Sequence, residues 1–137
     1  MSPFKSKKAM LEIMKKFTND LAAIGFKINY GTDIFAVNID NDFVGELRCC
    51  YYQDRPMRRI IIRVYKTVKL AHRIFYNDDD MDENFEIKTV GYETFYITEK
   101  EVFALDSIKD RFITVYKNFK KAKDKVKELK MFNDFSA

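Results

Sequence analysis

Residues 26–70 read FKINYGTDIFAVNIDNDFVGELRCCYYQDRPMRRIIIRVYKTVKL. Short runs of β-branched and aromatic residues are broken at Gly31-Thr32-Asp33, Asp40-Asn41-Asp42 and Asp54-Arg55-Pro56, combinations that favour turns. The pattern predicts strands over 26–30, 34–39, 43–52 and 57–70, joined as an antiparallel meander. In the last of these, alternation sends Ile60, Ile62, Val64, Val68 and Leu70 to one face and Arg59, Ile61, Arg63, Tyr65, Thr67 and Lys69 to the other. The neighbouring strand groups Glu46, Arg48, Cys50 and Tyr52 in the same way. One side of the sheet is therefore apolar and needs a cover, while the other is basic and aromatic.

The cover is written at the two ends of the chain. Met10, Met14, Phe17, Leu21 and Ile24 recur at three- and four-residue steps, which predicts an amphipathic helix over 5–24 ended by Gly25. Leu105, Ile108, Phe112, Val115, Phe119, Ala122, Val126 and Leu129 repeat that spacing, and Thr98 with Glu101 forms a capping-box pair opening a helix over 99–130. Residues 85–97 supply a further strand, single or hinged near Gly91. Residues 71–76 either extend the preceding strand or form a helical turn, and 77–84 form an acidic loop. The expected architecture is a single α+β domain, a meander of four to six strands with both helices on one face. On the last helix the positions flanking the seam are rich in cations, so a parallel self-paired coil would oppose like charges, and the seam is expected to be buried within the chain.

A length of 137 residues with four glycines and two prolines suits one self-sufficient core. No apolar run approaches the ~20 residues that span a bilayer, and the lysine-dotted start lacks the apolar centre of a secretion signal, so a cytoplasmic protein without membrane contact is expected. Cys49 and Cys50 are adjacent on a strand and point to opposite faces, which excludes a disulfide framework. The Lys-, Ile-, Asn- and Phe-rich composition is of the kind AT-rich genomes produce, those of many phages among them.

Charge is segregated: residues 1–16, 48–73 and 111–130 are basic, residues 17–47 and 74–110 acidic. On the last helix Lys117, Lys120, Lys121, Lys123, Lys125, Lys127 and Lys130 face only Asp124 and Glu128 as intrahelical acids. Lys117/Lys121, Lys121/Lys125 and Lys123/Lys127 are like charges four apart, a modest penalty that an anionic partner relieves. These lysines, with Arg48, Arg59, Arg63 and Lys69 for charge and Tyr52 and Tyr65 for stacking, are the expected contacts to nucleic acid or an acidic protein surface. The expectation requires the two basic blocks to meet on one surface. A protein-binding inhibitor or chaperone-like role for the exposed aromatic face is the alternative, and the protein is expected as a monomer or dimer.

Catalytic motifs are sparse. His72 is the sole histidine, which removes multi-histidine zinc sites; no Ser-His-Asp set with supporting spacing is found around it, and a structural role is expected. The isolated glycines make no phosphate loop. Asp78, Asp79, Asp80, Asp82 and Glu83 lack the glycine and closing glutamate of a calcium loop, so they are expected to be a solvent-exposed acidic run. No cofactor, metal or small-molecule substrate is inferred.

Two resemblances bear on function. A helix carrying Glu12, then Ile24-Gly25-Phe26, Asp33-Ile34-Phe35-Ala36-Val37 and Glu46-Leu47-Arg48 resembles the order of elements in the PD-(D/E)xK nucleases. That resemblance implies Asp33 and Glu46 as magnesium ligands, with Arg48 at the position of a water-orienting lysine. The order helix, three strands, connector, strands, helix is similar to the class I type III secretion chaperones.

Overall fold

The structure, a computed structural model, describes residues 6–51, 58–77 and 80–135, with side chains over 6–51, 58–72 and 85–131. Helix α1 (Lys7–Ile24) opens at Ser6, whose hydroxyl accepts from Ala9 N at 3.1 Å. It closes at Gly25, whose N–H reaches the Leu21 and Ala22 carbonyls. Strands β1 (Lys27–Tyr30), β2 (Ile34–Ile39), β3 (Asp42–Cys50), β4 (Arg59–Asn77) and β5 (Asp80–Ile97) follow in one sheet of order β1-β2-β3-β4-β5, every neighbouring pair antiparallel. A 3-10 turn (Glu99–Ala104) leads into α2 (Leu105–Phe135). This is the expected α+β meander with both helices on one face.

The core lies between that face and the helices. Val37, Leu47, Ile60, Ile62 and Val64 from the sheet meet Met10, Met14, Phe17 and Leu21 of α1 and Ile108, Phe112, Val115 and Phe119 of α2, all buried. Phe112 is at the centre, edge-on to Phe17 and Phe26 with ring centroids 5.9 and 6.0 Å away. The α2 seam is fully buried from Ile108 to Phe119; Leu105, Ala122, Val126 and Leu129 are half-buried.

Two expectations change and one open alternative is resolved. The capping pair is formed, with Thr98 N donating to Glu101 Oε2 at 3.1 Å, but it opens the 3-10 turn, and α2 itself begins six residues later. Residues 71–76 continue β4. In place of the expected acidic loop over 77–84, Asn77 and residues 80–84 pair along the ladder, with Asn77 opposite Asp80 and Tyr76 opposite Met81, while residues 78 and 79 lie outside the described residues. Ladder formation against the β-favouring stretch 74–76 overrides the weak strand propensity of Asp and Asn. The side chains of the acidic run lie outside the described residues.

β3 pairs with β4 only as far as Gly45 and Val64, so from residue 65 onward β4 pairs with β5 alone, as a two-stranded arm running beyond the sheet. Gly91 in the arm has φ +65°, a left-handed conformation that glycine adopts without Cβ strain, and β4–β5 register is the same on both sides of it. The strand is thus single, with a local irregularity where the sequence marks a hinge. His72 stacks on its cross-strand neighbour Phe85, with centroids 4.8 Å apart and ring planes 12° from parallel.

Candidate functional site

The face of the sheet turned away from the helices carries the residues with recognition chemistry. Register sets Arg48 opposite Ile61, Glu46 opposite Arg63, Cys50 opposite Arg59 and Tyr65 opposite Tyr92. A β-bulge completes the arrangement. Val37 pairs with Gly45 but Asn38 pairs with Phe43, so β3 holds one extra residue, Val44, which is buried. Strict alternation from Leu47 and Cys49 would turn Phe43 into the core; the bulge turns it outward instead, to 43% exposure. There its ring meets Tyr65 edge-on at 6.1 Å, and Tyr65 meets Tyr92 edge-on at 5.9 Å.

Cations flank this aromatic row. The Arg59 guanidinium lies 4.3 Å from the Tyr96 ring centre and that of Arg63 5.5 Å from Tyr92. Glu46 is the acid among them: its Oε1 is 3.3 Å from Arg48 Nη2 and 3.7 Å from Arg63 Nη1. Further along the arm Lys69 stands directly opposite Lys88, both exposed, and among the described residues neither has an anionic partner. Like charges in that relation repel. Cys50, on this face, has its thiol pushed up by burial, as does Cys49 on the core side, so both are protonated at neutral pH.

The α2 lysines lie on the other side of the molecule. Lys120 and Lys123 both approach Asp40 at the β2–β3 turn, Lys120 at 3.9 Å and Lys123 as its hydrogen-bond donor. Lys125 is 3.5 Å from Glu128. Lys117, Lys121 and Lys127 are exposed without an ion pair among the described residues. The expected convergence of the two basic blocks therefore does not occur. Arg48, Arg59, Arg63, Tyr65 and Lys69 share the open sheet face, whereas Lys117, Lys120, Lys121, Lys123 and Lys127 sit on the helix covering the opposite face. The reason is geometric: the seam of α2 is buried against Ile60, Ile62 and Val64, so its lysines point away from the sheet, and the sheet arginines point away from the helix. Tyr52 lies outside the described residues.

The carboxylates of the nuclease resemblance are also separated. Asp33 is held by Lys7 of α1 at 2.9 Å, on the helix side, while Glu46 faces Arg48 and Arg63 on the open side. A metal ion shared between them has no place in this arrangement. Four contributors escaped the sequence reading: Phe43, Tyr92, Tyr96 and Lys88. For Tyr92 and Tyr96 the signal was present in their spacing of four along a strand; Phe43 needed the bulge and Lys88 the register.

Comparison of the chain with protein-family models, curated proteins and solved structures found no match. Among the described residues no helix is long and apolar enough to cross a membrane.

Proposed function

We propose that this protein is a non-enzymatic, cytoplasmic binding module that takes single-stranded nucleic acid on its open sheet face. The observation that carries the reading is the row Phe43–Tyr65–Tyr92 flanked by Arg59, Arg63 and the opposed Lys69–Lys88 pair. Partly exposed rings give bases a surface to stack on in a sequence-tolerant way, and neighbouring cations neutralise the backbone. A phosphate between Lys69 and Lys88 removes a repulsion that the free protein bears.

The test is fluorescence anisotropy with labelled single-stranded RNA and DNA and matching duplexes between 50 and 200 mM salt. If Arg59, Arg63, Lys69 and Lys88 each neutralise one phosphate, log K against log salt falls with a slope of about −3, at ~0.7 per phosphate. Single strands bind more tightly than duplexes. Salt-independent binding, or none at 50 mM salt, removes the reading.

A protein-binding inhibitor or chaperone-like role is a second reading, and one observation favours it. Phe103 on the 3-10 turn is 82% exposed beside a hollow lined by Ile13, Phe17, Val102 and Leu105. Capture of a partner from nuclease-treated lysate, lost with Phe103→Asp, supports that role; loss of every partner on nuclease treatment argues for nucleic acid.

A further inference from the structure

Between the rings of Phe43, Tyr65 and Tyr92 the sheet surface is hollowed to about 220 Å³, with Gly45, Glu46 and Arg63 also lining it. This is smaller than the ~300–1,000 Å³ of pockets for drug-sized ligands and suits one flat ring system. Two polar side chains of the lining, Arg63 and Glu46, decide what the hollow can hold. The Arg63 side chain is 40% exposed, so the guanidinium end of Arg63 can meet a ligand there, although its Nε is shielded from solvent and among the described residues has no acceptor. Glu46 holds its arginines through Oε1, and Oε2 has no bond to any described residue. Aromatic walls with a carboxylate would ordinarily suit a cation, but Arg48 and Arg63 already outnumber Glu46, so a cationic ligand meets net repulsion. The occupant is a neutral planar ring that offers an acceptor to Arg63 and donors to Glu46.

We infer that this hollow is a nucleobase subsite selective for guanine, an inference that rests on the sheet face being the nucleic-acid surface. Guanine presents two parallel N–H groups, at N1 and N2, to a carboxylate, with the O6 acceptor beside them for an arginine. Adenine and cytosine each offer one exocyclic amine and uracil a single ring N–H, so none matches both groups as fully. The Lys69–Lys88 pair lies four residues along the arm from Tyr65, about 13 Å at the strand rise, placed for the phosphates of adjoining nucleotides.

The experiment compares uridine-rich hexanucleotides carrying one central guanosine, adenosine, cytidine or inosine, by anisotropy at fixed salt. Guanosine should bind at least about fivefold more tightly than adenosine or cytidine, the lower end of a two-bond base contact, with inosine between because it lacks the N2 amine. Glu46→Gln should abolish the preference while keeping or raising affinity for the all-uridine strand, since it removes a negative charge beside Arg48 and Arg63. Arg63→Lys retains the charge without the planar guanidinium fork and should likewise level the four bases. Equal affinity for all four in the wild type overturns the guanine subsite and leaves the sheet-face reading standing; binding of none overturns both. A guanosine preference that survives both substitutions overturns the assignment to Glu46 and Arg63.

Discussion

A methyl group in place of the Gly45 hydrogen would lie 2.4 Å from the Arg63 carbonyl oxygen and 2.7 Å from a ring carbon of Phe112. Both neighbours are fixed, one by the β3–β4 ladder and the other by the core, so the clash cannot be relieved by a side-chain swing. Gly45→Ala is expected to destabilise the fold by ~1–3 kcal/mol in urea titration, the usual cost of overpacking, and to disturb the bulge that turns Phe43 outward. Phe112→Ala removes the ring between Phe17 and Phe26 and should cost ~3–5 kcal/mol by the same measurement. Phe43→Ala, by contrast, removes a half-exposed ring: stability should change little, while single-strand binding weakens by the ~1–3 kcal/mol of a lost stacking contact. At this scale the sequence was an uneven guide. Buried positions such as Met14, Leu21, Ile62 and Phe112 follow from periodicity, because one side of each element has no other place to go. Phe43 does not, because a bulge reverses alternation locally and leaves no mark in the residue pattern beyond a nearby glycine.

Two elements are tied across the fold by ion pairs whose pH dependence has a definite sign. Lys109 of α2 donates to Asp20 of α1 at 2.8 Å, with Lys16 and Asp106 nearby, and Lys123 donates to Asp40 at the β2–β3 turn, with Lys120 and Lys27 adding positive field. These hydrogen bonds hold both carboxyls below their ordinary 3.8. A depressed carboxyl stabilises the fold above its unfolded value, and that contribution is lost as pH falls through the lower folded value. Melting temperature should therefore drop below pH 3.8, and the Asp20→Asn/Asp40→Asn double variant should show a shallower drop. On the alkaline side, the bond to Asp20 raises Lys109 above 10.5, so its contribution persists up to that pH and fades beyond it. The arm behaves differently. Lys88→Glu replaces a cross-strand repulsion opposite Lys69 with an attraction and should stabilise the protein by ~0.2–1 kcal/mol in thermal unfolding while weakening nucleic-acid binding. Opposite signs in the two assays separate a binding role from a structural one. The helices, the first three strands and the arm as far as 70 on one strand and 85 on the other could be read from period and turn chemistry, whereas its tip could not, since residues 80–84 are built largely from acids that disfavour strands until a partner strand supplies the ladder.

At the scale of the whole molecule, the sheet is a partition between two basic surfaces that do not communicate. Segregation of charge along the chain was legible, but which side of the sheet each block reaches depends on seam orientation in α2 and on strand parity, and these set them back to back. That separation makes each surface independently removable. Lys117→Glu/Lys121→Glu reverses two exposed lysines more than a layer away from the open face, beyond the ~8–10 Å over which physiological salt lets surface charges act on one another. Single-strand affinity and its salt slope should remain near wild type in that variant. Arg59→Glu/Lys69→Glu makes the same change in net charge on the aromatic face; affinity should collapse, and any residual binding should show a slope shallower by ~1.4, two phosphate contacts fewer. Because the two variants carry equal formal charge, a nonspecific response to net charge would weaken both alike. Loss confined to the α2 variant would move the nucleic-acid surface from the sheet to the helix, and with it the role here given to Tyr65, Tyr92 and Phe43.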